Sequence, residues 1–113
     1  MPDRLPHPLP TDLAESVADR FRLLADPTRL RLLDLLREGE RSVSDLVVEL
    51  ECSQANVSKQ LGLLADAGIL ERRRAGVRCY YRVIDPQVYQ LCEVVCESLR
   101  RHWRARAHVL EPS

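Results

Sequence analysis

Residues 53–68 read SQANVSKQLGLLADAG and have the pattern of one amphipathic helix with a signal at each end. Ser53 offers a side-chain oxygen that can cap a helix, and Gly68 permits the left-handed conformation that ends one. Between them the apolar residues recur at helical spacing, at Val57, Leu61 and Leu64. One face of this helix is therefore predicted to pack inward, while its glutamines, asparagine and lysine face outward.

A second short helix is predicted immediately upstream. The segment SVSD at residues 42–45 is typical of a capping box, and the helix that it opens stops near Glu51. Its inward positions are Leu46, Val47 and Leu50. Two short helices separated by a turn of about three residues indicate a helix-turn-helix.

Two further helices are predicted before this pair. Asp26 and Pro27 place a capping aspartate before a proline at the first helical position, and Gly39 ends that helix. Leu30, Leu33 and Leu36, or their neighbours, face the core. Asp12 and Glu15 indicate a capping box for a first helix that runs to about residue 25. Four prolines in residues 1–10 favour a flexible N-terminal arm.

The pattern changes after residue 68. Residues 69–74 and 77–84 flank Ala75-Gly76 and favour a two-stranded hairpin, the wing. Asp85-Pro86 then repeats the capping device and opens a last helix. Its apolar stripe consists of Val88, Leu91, Cys92, Val95 and Leu99. The fold class predicted is mainly α with a small β-hairpin: a winged helix-turn-helix over residues 11–104, followed by a C-terminal tail at 105–113.

The last helix also predicts the oligomeric state. One small protomer cannot cover such a stripe completely, so a two-fold symmetric homodimer is expected. At 113 residues, with 45% apolar and 30% charged residues, the chain has the composition of one globular domain and little room for a catalytic cleft. We therefore expect no enzymatic activity.

The charges are unevenly distributed. The chain has 17 basic and 17 acidic residues, but residues 54–82 hold six basic and two acidic ones, whereas residues 1–53 hold seven and eleven. A single basic stretch on a neutral protein indicates one surface that meets phosphate. A merely solvated charged face is the alternative.

No apolar run approaches the roughly 18 to 20 residues that span a bilayer, and no signal peptide is evident. A cytoplasmic protein without a membrane partner is expected. In that compartment the four cysteines are expected as free thiols, metal ligands or redox switches rather than as disulfides.

Several motifs together resemble the ArsR/SmtB family of winged-helix repressors. They are ADPTRLRLL at residues 25–33, SQANVSKQL at 53–61, AGIL at 67–70 and RRAGVRCYY at 73–81. The resemblance implies five helices with the wing between the fourth and the fifth, and dimerisation through the first and last helices. It further implies that the protein represses an operon by binding double-stranded operator DNA until a small inducer releases it.

The fourth helix carries the candidate base contacts. A helix fits the major groove with its N-terminal residues at base edges. The candidates are Gln54, Asn56, Ser58, Lys59 and Gln60. Glutamine and asparagine can pair with adenine through two hydrogen bonds, and Ser53 and Ser58 can bind phosphate. The alternative is that these groups only cap and solvate an exposed helix.

The wing carries the candidate phosphate contacts. Arg72, Arg73, Arg74 and Arg78 flank the turn, where they can reach backbone phosphates or a minor groove. The alternative is a strand edge protected by charge. Tyr80 and its neighbour Tyr81 alternate across the strand, so one of them is expected in the core.

The inducer sites of the resembled family are largely missing. Its thiolate site for arsenic, antimony or soft metals resembles CVCDL on the third helix, where this chain has Ser42 and Ser44 in place of the thiols. Its last-helix zinc or cobalt site needs Asp-x-His followed by His and Glu, and Asp85 alone remains. Arsenite sensing through the third helix is therefore not expected, since serine oxygen is a poor ligand for soft ions.

Cys92 and Cys96 are the candidate sensor. Four residues apart on the last helix, they share a face and could bind a soft metal or metalloid ion or a reactive sulfur or oxygen species. Their alternative role is that of small buried hydrophobes. Cys52 in the helix-turn-helix turn and Cys79 in the wing are expected to be buried or incidental. His102 and His108, placed after the last helix, could ligate nickel, cobalt or zinc.

Two other classes of function stay open. One is a winged-helix protein-interaction module without inducer sensing, which the basic stretch disfavours. The other is a thiol redox protein that uses Cys92 and Cys96. Redox pairs usually have two intervening residues at a helix start, and this pair has three inside a helix.

Overall fold

The computed structural model describes residues 5–110, with side chains to residue 106. Within these residues the chain forms five helices: α1 (Thr11–Leu24), α2 (Pro27–Leu35), α3 (Val43–Leu50), α4 (Gln54–Asp66) and α5 (Gln87–Leu110). Three strands accompany them: β1 (Arg41–Ser42), β2 (Leu70–Ala75) and β3 (Arg78–Val83). A 3₁₀ turn at Leu36–Glu38 extends α2. The predicted fold class, mainly α with a small hairpin, is confirmed.

Three helix starts follow the predicted caps. The Asp26 carboxylate accepts from the backbone N–H of Arg29 at 3.0 Å. Ser42 and Ser53 do the same at α3 and α4, each at 3.1 Å. These contacts satisfy N–H groups that have no partner inside the helix.

The capping box predicted at Asp12 is wrong. Pro10 precedes α1 in an extended conformation, and its carbonyl accepts from the backbone N–H of Ala14 at 2.9 Å. Helical bonding therefore begins before Asp12, whose carboxylate lies in the first turn and caps nothing.

The core lies where α2, α3 and α4 meet the sheet. Its fully buried apolar side chains are Leu32, Leu33, Leu46, Val57, Leu61, Leu64 and Ile69. Three of them come from α4, so the inward face predicted for residues 53–68 is confirmed. This packing holds the opposite, polar face of α4 toward the outside.

The sheet has the strand order β1-β3-β2 and is antiparallel throughout. Gly76, with φ +63°, opens the two-residue turn between β2 and β3, in a conformation that other residues adopt at a cost. The strand β1 was not predicted because two residues are too few to show an alternating pattern. It pairs with Tyr80 and Tyr81 and brings Glu40 next to the hairpin.

The last helix extends beyond the domain boundary predicted at residue 104. The Asp85 carboxylate accepts from the backbone N–H of Gln87 at 3.3 Å, and α5 continues to Leu110. His102 and His108 therefore lie within the helix rather than after it. Residues 1–4 of the predicted arm and 111–113 of the predicted tail lie outside the described residues. No helix within 5–110 is long and apolar enough to cross a membrane.

Candidate DNA-binding surface

The N-terminal half of α4 presents polar side chains of two kinds. Gln54, Ser58 and Lys59 are exposed, and within residues 5–110 none of them forms a side-chain hydrogen bond or salt bridge. They are available to a partner. Ser53 is exposed as well, but its hydroxyl oxygen already accepts from the backbone of Asn56.

Asn56 and Gln60 are the second kind, because their amides are already hydrogen bonded. Gln60 Nε2 donates to Asn56 Oδ1 at 3.2 Å, and Gln60 Oε1 accepts from Arg29 Nη1 at 2.6 Å. Both amides are half-buried. Two of the five predicted base-contacting residues are therefore oriented by a residue of α2.

The arginines of the hairpin also differ among themselves. Arg73 donates to both carboxylate oxygens of Glu40, at 2.7 and 3.1 Å, and its guanidinium lies 4.6 Å from the ring centre of Tyr80. The hydrogen bond to Arg73 lowers the pKa of Glu40, and the same bond raises the pKa of Arg73. Arg73 is thus held against its own chain.

Arg72, Arg74 and Arg78 are exposed and, within the described part of the chain, form no salt bridge. The remaining basic residue of the hairpin, Arg82, is paired with Glu71. Of the tyrosines, Tyr81 is buried in the core, as expected for one of the pair. Three unpaired guanidinium groups around a tight turn form a cationic tip that can bind phosphate.

The candidate sensor lies on a different surface. Cys92 and Cys96 line an open cavity of about 880 Å³ between α5 and the α1–α2 pair. Burial raises the pKa of the Cys92 thiol, and the positive charge of Arg37 partly offsets this effect. Cys96 is exposed, whereas Cys52 and Cys79 are half-buried against the core.

The side chains around this cavity do not form a complete metal site. Among the residues that the structure describes, no three His, Cys, Asp or Glu side chains are close enough to share one ion. Two thiols are fewer ligands than zinc takes from a protein. A zinc ion bound by Cys92 and Cys96 would need a further ligand, such as one from a second copy of the chain.

A helix-turn-helix whose second helix is capped, followed by a hairpin with unpaired arginines at its tip, defines a winged-helix DNA-binding protein. Comparison with known families agrees. Residues 26–72 match the family described as bacterial regulatory protein, arsR family. The chain belongs to this family and is a DNA-binding transcriptional regulator.

Individual relatives support the assignment. The chain is 41% identical over 97 residues to the uncharacterised HTH-type transcriptional regulator Rv0081 of Mycobacterium tuberculosis, with 83% of each chain covered. It resembles the crystal structure of the antimony-specific transcriptional repressor AntR with a TM-score of 0.73, 35% identity and coverage of 84% and 86%. It also resembles the homodimeric DNA-binding domain of Mb0332 from Mycobacterium bovis, with a TM-score of 0.69, 34% identity and coverage of 80% and 84%.

Sequence reasoning missed two residues that shape this surface, Arg29 and Glu40. Arg29 lies 31 residues from Gln60, and Glu40 lies 33 residues from Arg73. No local motif signals either contact, because each depends on how distant elements pack.

Proposed function

We propose that the chain is a homodimeric transcriptional repressor that acts in the cytoplasm and binds operator DNA. In this proposal the N-terminal half of α4 enters the major groove and the tip of the hairpin contacts the backbone. The observation that carries the proposal is the set of exposed, unpaired Lys59, Arg72, Arg74 and Arg78 on a neutral protein. Unpaired cations concentrated on the winged helix are suited to phosphate and have no role in the core.

Dimerisation is supported by the exposed face of α5. Apolar residues recur every four positions along this helix and so form one stripe, the α5 stripe, which consists of Leu91, Val95, Leu99 and Trp103. Leu99 is 44% and Trp103 60% exposed. Phe21 of α1, also exposed, lines the same cavity as Val95 and Leu99. An apolar surface of this kind marks a contact with another protein, and Mb0332 is homodimeric.

The DNA-binding proposal is tested by titrating the protein onto a fragment of its own promoter at several salt concentrations. We expect a two-fold symmetric site whose half-sites are about 34 Å apart, and a binding constant that falls steeply with salt. Sedimentation at micromolar protein should show a dimer. Equal, weak affinity for promoter and unrelated DNA would contradict the proposal.

We also propose that Cys92 and Cys96 respond to a soft metal, a metalloid or a thiol-reactive inducer. The support is their shared cavity, the availability of both thiols and the antimony-specific relative AntR. Since α5 also carries the stripe, a ligand bridging these thiols would change how two copies pack and hence how far apart their α4 helices lie.

The test is a Cys92→Ser/Cys96→Ser double variant, with Cys52→Ser/Cys79→Ser as the matched control. Both are titrated onto promoter DNA with and without antimonite, arsenite, divalent metals, persulfide or peroxide. The first variant should stay bound in the presence of a compound that releases the wild type. Coupling of about 1 to 3 kcal/mol corresponds to a 5- to 150-fold loss of affinity in the wild type. Equal release of wild type and double variant would contradict the sensing role.

A further inference from the structure

Three side chains connect α2 to the polar face of α4. The Arg29 guanidinium donates through Nε to the carbonyl of Leu23 at 2.5 Å and through Nη1 to Gln60 Oε1 at 2.6 Å. Gln60 Nε2 then donates to Asn56 Oδ1 at 3.2 Å. All three side chains are half-buried. The result is a hydrogen-bonded row that begins at a guanidinium anchored on the end of α1.

The direction of this row follows from the chemistry of arginine. A guanidinium has five N–H donors and no acceptor, so the Gln60 amide turns its oxygen toward Arg29. Its NH₂ group then points to Asn56, which has to present its own oxygen. The NH₂ group of Asn56 is left outside the row. Reversing either amide would place donor against donor or acceptor against acceptor.

The consequence concerns which atoms α4 offers to DNA. We propose that Arg29 is a positioning residue that makes Asn56 and Gln60 a hydrogen-bond donor surface and thereby selects guanine. Guanine presents two acceptors, O6 and N7, in the major groove. Adenine and cytosine each carry an amino donor there, and thymine offers only one acceptor, O4, beside a methyl group. In the adenine pairing expected for these amides, the oxygen beside the NH₂ group accepts from the base. Each oxygen here already uses one of its two lone pairs on a neighbour and is turned toward that neighbour, which disfavours this pairing. This inference rests on the proposed DNA-binding function.

The test compares base preferences in a selection from a randomised DNA pool. Asn56→Ala identifies the base position that faces this residue, because its preference is lost there. The wild type should prefer guanine at that position. The decisive variant is Gln60→Glu, whose carboxylate still accepts from Arg29 but cannot donate to Asn56. The Asn56 amide then turns its NH₂ group inward and its oxygen outward, so the preferred base should change to adenine or cytosine, by roughly tenfold in relative affinity.

Three further variants separate this reversal from simpler effects. Arg29→Lys keeps a side chain that only donates, and it should keep the guanine preference. Arg29→Met removes the donor, and the preference for guanine over adenine should fall roughly tenfold. Arg72→Gln makes the same change of net charge as Gln60→Glu, but on the hairpin. It should weaken binding to all sequences alike.

The outcomes distinguish the inference from the function on which it rests. If the wild type selects no sequence, the proposed DNA-binding function fails. If the wild type is selective but prefers adenine, cytosine or thymine opposite Asn56, or if Gln60→Glu keeps the guanine preference, the inference is overturned and the function stands. Arg29→Met also loses the contact with the Leu23 carbonyl, so its helix content is measured. If that variant does not fold, Gln60→Glu decides alone.

Discussion

The recognition helix α4 and the last helix α5 are both amphipathic, yet the protomer buries the apolar face of α4 only. The apolar residues Val57, Leu61 and Leu64 of α4 are fully buried, and two of its polar side chains are hydrogen bonded within the protein. The apolar stripe of α5 remains largely exposed. A helix that presents base-reading groups in one orientation packs its whole apolar face against its own core. A helix that pairs with a second copy instead leaves its apolar face exposed on the protomer.

The largest expected effect tests whether the core buries the apolar face of α4. Leu61→Ala removes a side chain with no exposed surface and should lower the free energy of unfolding by about 2 to 5 kcal/mol. Leu63→Ala on the same helix, where the side chain is 40% exposed, should cost less than about 1 kcal/mol. Urea unfolding at one fixed protein concentration measures both. Similar costs for the two variants would contradict the difference in burial.

The next effect tests whether a second copy of the chain covers the α5 stripe. Leu99→Glu puts a charge in the α5 stripe and should yield a folded monomer by sedimentation. Without the link between two half-sites, affinity for promoter DNA should fall at least about tenfold. Gln90→Glu adds the same charge to α5 outside the stripe and serves as the control. A dimer that persists with Leu99→Glu would place the interface elsewhere.

A smaller effect tests whether side chains of the hairpin are also held by contacts within the protein, as Asn56 and Gln60 are on α4. Arg74→Gln removes an unpaired cation and should reduce the slope of log affinity against log salt by about 0.9. Arg73→Gln should reduce it less, because Glu40 holds that guanidinium in both carboxylate contacts. If both variants flatten the slope equally, Arg73 leaves Glu40 when DNA binds.

The smallest effect concerns the thiol on α5. Burial raises the pKa of Cys92, so its thiolate forms at more alkaline pH than that of a free thiol. In a chain whose other three cysteines are serine, alkylation of Cys92 should accelerate only as the pH rises through this raised pKa. The corresponding chain that retains Cys96, exposed within one protomer, is the comparison. Identical pH profiles would show that the surroundings of Cys92 do not affect its ionisation.

The raised pKa also affects stability. Because the folded state holds the proton of the Cys92 thiol more tightly than the unfolded state does, the thiol favours folding at neutral pH, and that contribution is lost as the pH becomes alkaline.

Local signals in the sequence predicted much of the fold. The caps at Asp26, Ser42 and Ser53 each use an N–H three residues ahead, so the residues involved stand together in the sequence. The cap predicted at Asp12 failed because Pro10 starts α1 earlier. The end of α5 at Leu110 was also not predicted. Between residue 104 and Pro112 the sequence has no glycine or proline, so no helix-ending residue indicates where the helix stops.

Residues a few places apart in the sequence predicted the order of the five helices and the hairpin, the inward face of α4 and the positions of the candidate DNA contacts. Only the tertiary structure decided which of these contacts are free. Arg29 meets Gln60, and Glu40 meets Arg73, across more than thirty residues of chain. Contacts of that range depend on how α2, α4 and the sheet pack, and packing is a property of the whole core rather than of any segment.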